Sequence, residues 1–497
     1  MGVFLLHQLL TKHGKSGRSV SLRAFHRKVT EVIGKWINQQ FHSICFLVWQ
    51  KRLRSFCMTD FSEEVMTVLE HKIQKMDRLK SVDHLVTDTE KDFTRDRKLP
   101  FSTMIQVILS MAGKPVREEL LDFFDDSENT ATSSAFVQAR GKILPKAFQF
   151  LFNQINKAYP CTRTYKGYRL IAVDGSDLAI SYDPKDEETY HYNGTTMKGC
   201  NLYHINAAYD ILNCRYIDMI LCGINHEGEQ KAMCTMAERF PEQNTIFIAD
   251  RNYPTWNVME HIIRSGRHFL FRSKDIHSTN NILTKFHLPD EEFDLDIRTT
   301  LTAKQTKDVK CHSEKYRTLS NASVFVFVDQ NHPYYVVHYR VVRFKLDGSD
   351  GYESIITDLN RETFSAREMK ELYHMRWGVE TSFRHLKYSA DLCAQHAKKR
   401  SSIQQEIWAR LLFYNLSMII LHHHWEQTGK HRRKYSYLIN RTRAIHLIRD
   451  TLRKRKGGHP PDLEALLAAE LLPVRPGRRD IRKVKTQSFV CFNYRFS

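Results

Sequence analysis

No stretch of the 497-residue sequence is apolar for long enough to cross a membrane. The run at Leu416–Leu421 falls far short of the ~18 residues that a spanning helix needs, and the apolar start at Val3–Leu6 is too short for a secretory signal. Cysteine pairing is also missing: the ten cysteines are scattered and no two stand in C-x-x-C spacing, which excludes a disulfide framework and a zinc knuckle. With 42% hydrophobic and 26% charged residues, the composition excludes wholly disordered and collagen-like chains. What remains is a globular protein, expected in the cytoplasm, with length for roughly two to four domains and at least one large core.

Charge is abundant and unevenly placed. The formal net charge is +19, yet Met1–Cys57 carries +9, Lys430–Lys456 carries +10 and Arg475–Lys485 carries +5, so the remainder is mildly acidic at −5. Basic runs of this density, interleaved with Tyr435, Tyr437 and Tyr494, favour a polyanionic partner over a merely solvated face.

Pattern divides the chain further. Residues 1–57 form a basic leader that need not belong to the folded unit, and Met58 opens a helical region extending to about residue 160. Within it, Phe101–Ala112 and Val116–Phe124 show helical apolar spacing around the turn signal Gly113-Lys114-Pro115. This pair reads equally as a helix-turn-helix DNA reader and as ordinary helical packing. From Tyr168 the period becomes strand-like: Tyr168–Ile180, Leu202–Tyr209 and Arg215–Cys222 predict a meander. Helices at Gly228–Phe240 and Trp256–Ser265 then alternate with strands at Thr245–Ala249 and His268–Phe271, which predicts a mixed sheet flanked by helices, an α/β fold. Residues 276–357 are expected to be a separate β-rich insertion, between core segments 161–275 and 358–425, and residues 426–497 form a basic C-terminal region. One amphipathic helix is predicted from Ser365, whose spacing to Glu368 is a capping box, towards Lys387.

Two carboxylates end apolar strands, Asp174 in Ile171-Ala-Val-Asp-Gly-Ser and Asp250 in Ile246-Phe-Ile-Ala-Asp-Arg. Either alone is more commonly a turn former. Asp177 and Asp183 are further acids nearby, but strand alternation turns Asp177 to the face opposite Asp174. On the predicted helix, Tyr373, Arg376, Glu380 and Lys387 fall within about 60° of one another at about 100° per residue, beside an apolar stripe of Leu372, Met375, Val379, Phe383 and Leu386. A carboxylate flanked by cations and a phenol at the edge of a core can ligate a metal while its neighbours hold phosphates. An exposed Arg/Glu/Lys ladder is the competing reading. Three carboxylates without Cys or His suit Mg²⁺ or Mn²⁺ rather than zinc, and two such ions about 4 Å apart serve phosphoryl transfer.

Asp174 in Val-Asp-Gly-Ser, Asp250 in Ala-Asp-Arg, and Tyr373-x2-Arg376-x3-Glu380-x6-Lys387 together resemble the DDE transposases of bacterial insertion sequences that carry the Y-R-E-K signature, the insertion sequence 4-like family. The likeness extends over most of Asp92–Lys485, including Arg97-Lys-Leu-Pro-Phe, and leaves out residues 1–57. It implies a ribonuclease H-like catalytic core with an inserted β-rich domain. It also implies that Asp174, Asp250 and Glu380 are the metal-binding catalytic triad, with Tyr373, Arg376 and Lys387 on DNA phosphates. Such enzymes act as homodimers on double-stranded DNA in the bacterial cytoplasm, cutting at terminal inverted repeats and joining 3′ ends to target DNA.

Arg251 and Lys274 flank the predicted sheet rim and are candidate DNA contacts, with solvent exposure as the alternative. Trp256 reads as core packing before base stacking. The consecutive His422-His423-His424 cannot converge on one ion, since neighbouring helical residues point about 100° apart. Two rival functions stay open beside transposition: a hydrolytic nuclease on the same fold, and a transposase-derived DNA-binding protein or repressor that has lost catalysis.

Overall fold

A computed structural model of the chain describes residues 61–192, 199–223, 228–278, 281–320, 324–346, 350–428, 436–454 and 462–474. The chain divides into two compact units, residues 1–63 and 64–497; the first lies almost wholly outside the described residues, and the second is considered below. The basic leader, the Arg475–Lys485 stretch and parts of Lys430–Lys456 likewise fall outside them.

Helices open the described chain: α1 (Phe61–Leu79), α2 (Phe101–Ser110), α3 (Val116–Phe123), α4 (Ser133–Arg140) and α5 (Lys146–Ala158). The first helix of the α2/α3 pair packs into the core, and the second keeps an exposed face of mixed charge. Seven of the ten residues of α2 are buried, and α3 leaves Glu118 exposed and Asp122 half-exposed, with Asp125 and Asp126 following.

The sheet begins with β1 (Arg169–Ile180), followed by β2 (Tyr190–His191), β3 (Cys200–Asp210) and β4 (Arg215–Gly223). Then come α6 (Glu229–Arg239), β5 (Thr245–Ala249), α7 (Trp256–Arg264) and β6 (His268–Arg272). Strand β1 is antiparallel to β3 on one edge and parallel to β5 on the other, and β5 is parallel to β6. A strand paired on both edges and covered on both faces must be apolar continuously, not alternately, and Leu170–Val173 are all fully buried. Alternation still sorts the side chains by face. Ile171 and Val173 pack with Phe247, Phe269, Met233 and Met259 under α6 and α7. Leu170 packs with Ile246, Ile248 and Leu270 on the other face.

The following segment contains β7 (Phe293–Thr302), α8 (Lys307–Cys311), β8 (Tyr316–Thr318), β9 (Tyr334–Lys345) and β10 (Tyr352–Thr357). It was expected to form a small sheet of its own, and it does not. Strand β10 pairs antiparallel with β6 through Ile355↔Arg272 and Ile356↔Phe271, and β9 and β7 follow, so all ten of these strands make one sheet. The bare edge of β6 needs a partner, and β10 supplies one whose Ile355 and Ile356 are fully buried. Val324–Val328 is not a strand; Phe325 and Phe327 pack on Tyr335 at ring-centroid distances of 5.3 and 5.9 Å. The Tyr335 and Tyr339 hydroxyls donate to Glu260 at 2.7 and 2.5 Å. These aromatics therefore pack in or against the core.

The capping box of Ser365 and Glu368 is formed, but the helix it starts is broken into α9 (Ala366–Met375), α10 (Trp377–Arg384) and a π-helical turn at His385–Ser389. Gly378, a poor helix former, follows the break at Arg376. Last come α11 (Arg400–Thr428), β11 (Ser436–Ile439), α12 (Arg441–Lys454), α13 (Leu463–Ala469) and β12 (Leu471–Val474). Helix α11 is buried on every side between Ile407 and Leu421, as a helix through the middle of a large core must be. The Phe152 ring of α5 meets Trp408 at 5.4 Å.

Charges join these helices inside the protein. Arg140 ends α4 and pairs with Glu406 at 2.7 Å, while donating to Gln405 Oε1 and the Ser402 carbonyl at 2.9 and 2.6 Å. From α12, Arg449 donates to Asp391 at 2.5 Å and Arg453 pairs with Glu119 and Asp122. Two arginines of the Lys430–Lys456 stretch, expected to face phosphates, thus point inward. Burial alone would raise the Glu406 carboxyl, but Arg140, the His396 contacts and Arg410 outweigh it and hold the group at about 2. The folded value lies below the unfolded 4.5, so this stabilisation is complete above the unfolded value and is lost as pH falls towards about 2. Glu406→Gln, which leaves Arg140 buried without its counter-charge, should cost about 3–5 kcal/mol in denaturant unfolding at pH 7. The penalty should shrink below pH 4, and a loss under about 1 kcal/mol at pH 7 would show that the pair does not hold the helices together.

Candidate active site

Face parity places two of the three acids together. Asp174 continues the Leu170, Ala172 series of β1, and Asp250 lies two residues past Ile248 of β5. Both belong to the sheet face covered by Met369, Leu372 and Tyr373 of α9. Glu380 comes from α10 and meets them through a cation. Arg376, only 5% exposed, donates from Nη2 to Glu380 Oε1 at 2.6 Å and brings Nη1 to 3.9 Å from Asp174 Oδ2. Its guanidinium carbon also lies 5.5 Å from the ring centres of Tyr373 and Trp377.

Asp174 is the group under electrostatic stress. Burial pushes its carboxyl up, Arg376 opposes the rise, and Asp250 and Glu380 add to it, for a net value of about 7. Three acids that influence one another in this way favour a shared positive charge. Among the described residues, no three His, Cys, Asp or Glu side chains stand close enough to hold a single metal ion, and Arg376 occupies the position between Asp174 and Glu380. The donor chemistry nonetheless fits a hard divalent cation, being all carboxylate oxygen. The site also keeps unsatisfied polar atoms: the Tyr373 and Tyr253 hydroxyls and Arg376 Nε are buried without a hydrogen-bond partner among the described residues. Burial first, then Glu229, Asp174 and Asp250, push the Tyr253 phenol well up.

The remaining expected residues are spread around this centre. Tyr373 and Arg376 were expected on DNA phosphates; they are buried, at 2% and 5% exposure, because their helix face packs on the sheet. Lys387, on the π-helical turn, is half-buried and donates to the Asp177 carbonyl at 2.7 Å. Arg251 and Lys274 are exposed and line a cleft of about 560 Å³ beside Asp250, with Asn252 and Asn281. Trp256 stacks on Tyr339 at 5.9 Å, as packing.

Sequence reasoning did not single out Glu229 and His204, which stand behind β1. Asp177 sits opposite His204 in the β1–β3 register. His204 Nδ1 is 2.6 Å from Asp177 Oδ1, and Nε2 is 3.5 Å from Glu229 Oε1. Its bonds to Asp177 and Glu229 outweigh burial and raise the imidazole to about 9. A Cβ on Gly175 would come within 2.3 Å of Glu229 Oε1 and 2.6 Å of His204 Nε2. Only glycine next to Asp174 lets this cluster approach the strand. The Val-Asp-Gly context was the visible signal.

With this geometry in place, comparison with known proteins gives the class. The model for the transposase DDE domain matches residues 165–416, half of the chain, and the chain belongs to that family. No curated protein matches it. Among solved structures the chain is similar to the piggyBac transposase synaptic complex with hairpin DNA, at a TM-score of 0.37 and 11% identity over 85% of each chain.

The Asp174 value above yields a stability test. The folded carboxyl lies above its free value of 3.8, so the folded protein binds this proton more tightly than the unfolded chain. Ionisation therefore weakens the fold as pH climbs through about 7,. In EDTA at pH 8, Asp174→Asn should raise Tm, by on the order of 5 °C, and the gain should shrink at pH 5 and vanish below the free value of 3.8. A lower Tm for the variant at pH 8 would mean that the Arg376 contact outweighs the burial and the acid repulsion.

Proposed function

We propose that the chain is a DNA transposase of the insertion-sequence type that bears the Tyr-Arg-Glu-Lys signature, working on a ribonuclease H-like core. The observation that carries this reading is Arg376 standing between Asp174 and Glu380, with Asp250 on the same sheet face as Asp174, in a chain of the transposase DDE family. The strand order β4-β3-β1-β5-β6, with β1, β5 and β6 mutually parallel, supports such a core. Residues 161–275 and 358–425 would form it, with 276–357 inserted and 58–160 as a helical DNA-binding region.

Asp174, Asp250 and Glu380 would hold Mg²⁺ or Mn²⁺, as a pair of ions; bound there, the metal would polarise a phosphodiester and lower the pKa of the attacking oxygen. The chain's own groups do the rest. Arg376 keeps the acids from repelling one another apart, and Tyr373 supports the guanidinium from its buried position. Lys387, on the Asp177 carbonyl, and Arg251, next to Asp250, would each hold a backbone phosphate of the cut strand,. The substrates are the terminal inverted repeats of the element and its target DNA, with the enzyme acting as a homodimer on them and joining 3′ ends. A nuclease on the same fold would share the cleavage step, so strand joining is the step to measure.

The test supplies the protein in trans to a marked segment bounded by the DNA ends that flank its gene, and scores excision and insertion. Asp174→Asn, Asp250→Asn and Glu380→Gln should each lower end cleavage by at least about 10³-fold while duplex binding stays within about threefold, because phosphate contacts are made by other residues. Cleavage without joining in the wild type would make the protein a nuclease. Binding without either, undiminished in all three variants, would make it a repressor.

A further inference from the structure

Away from the acids, the loop between α1 and α2 and the start of α4 enclose a cleft of about 690 Å³. Five cations line it, Lys91, Arg95, Arg97, Lys98 and Lys142, against the single acid Glu90. Two of the five are committed: Lys142 lies 3.2 Å from Asp92 and Lys91 lies 3.3 Å from Asp88. Arg95, Arg97 and Lys98 are exposed and have no acidic partner among the described residues. This contrasts with the inner arginines at 140, 449 and 453, each of which meets a carboxylate.

The loop that carries these cations is held in place. Asp92 accepts from the Thr87 hydroxyl at 2.6 Å and from the Asp88 amide at 3.0 Å. Phe93, in a left-handed conformation at φ 56°, meets the Phe101 ring edge-on at 5.7 Å. Val86 bridges to Ile143. Three like charges kept together on a tethered loop repel one another, and fixing them costs stability unless an anion is to be bound. They also stand in a body whose charge outside the three basic stretches is −5, so they are not a sample of a uniformly basic surface.

We propose that this cleft seats the backbone of duplex DNA, with Arg95, Arg97 and Lys98 each on a phosphate, as a contact separate from the acids at Asp174. The inference rests on the transposase reading for its partner. Its chemistry is that of a cationic rim over a partly apolar floor, at Phe93 and Leu99, and Lys and Arg on phosphates carry no sequence information. Recognition there is therefore independent of sequence.

The experiment measures binding of the full chain to a random-sequence 30-base-pair DNA duplex by fluorescence anisotropy across a salt series. The triple variant R95Q/R97Q/K98Q is compared with K75Q/R78Q/K157Q, an equal loss of exposed charge on α1 and α5. All six positions are exposed, and a thermal melt checks that both variants fold. The cleft variant should bind at least 10-fold more weakly at 100 mM salt, with a log K against log salt slope flatter by about 2 to 3, from about 0.9 per contact. The control should stay within about twofold. Equal weakening in both variants, an unchanged slope in the cleft variant, absent binding by the wild type, or tighter binding of an RNA duplex of the same length would each overturn the proposal. The transposase reading fails separately, by loss of end cleavage and joining in a wild-type protein whose duplex binding and cleft effect are intact.

Discussion

The double pairing of β1 is the constraint on which the rest of the molecule depends. With β3 antiparallel on one edge and β5 parallel on the other, the strand cannot slide by one residue without exchanging its two buried faces. Leu170 would then enter the layer under α6 and α7, and Ile171 would face α9. Because that exchange is blocked, everything carried on β1 inherits a fixed side. Asp174 is committed to the α9 face, Asp177 to the opposite one, and Gly175 to the point where Glu229 and His204 press against the strand. The parallel pairing to β5 and then β6 fixes where Asp250 leaves the sheet.

Arg376 is the complement of that constraint. A half-buried carboxylate with two acidic neighbours is costly, and the molecule offsets part of the cost with one internal guanidinium. The position of that guanidinium depends on the helix break. Were α9 and α10 one ideal helix, Arg376 and Glu380 would still pair as i, i+4 neighbours. Lys387 would then fall in the same straight row, whereas the π-helical turn delivers its ammonium to the Asp177 carbonyl of β1. π-helical turns are rare and occur mostly at functional sites, and here the turn carries Lys387 to β1.

Much of this was legible in the sequence. Apolar runs found the core strands, and Thr245–Ala249 agrees residue for residue with β5. Strand parity separated Asp174 from Asp177, and the Ser365–Glu368 capping box formed as its spacing predicts. Three things were not legible. Whether the β-rich segment joins the central sheet depends on the partner of β6, a contact between residues 270–272 and 355–357 that no local pattern encodes. The helix break carries no clear local signal, since Arg376 itself keeps helical angles at φ −53° and ψ −33°. And His204 and Glu229 carry no spacing signal, because one lies mid-strand and the other opens a helix.

The least legible quantity was charge. A net +19 invites the view that every basic run is DNA-facing, yet a guanidinium beside a carboxylate at short range in a low-dielectric interior interacts far more strongly than one on a solvated face. Arg449 and Arg453 come from the most basic stretch of the described chain and lie 3% exposed and nearly buried, on Asp391 and on Glu119 with Asp122. Arg410 is wholly buried, and burial, followed by repulsion from Arg449, lowers its guanidinium to about 10. These charges weld α3, α4, α11 and α12 into one body and are lost to any external anion. The charge free to act outside is set by which cations lack an internal carboxylate, and that accounting separates Arg95, Arg97 and Lys98, or Arg251 and Lys274, from arginines that composition alone counts as their equals.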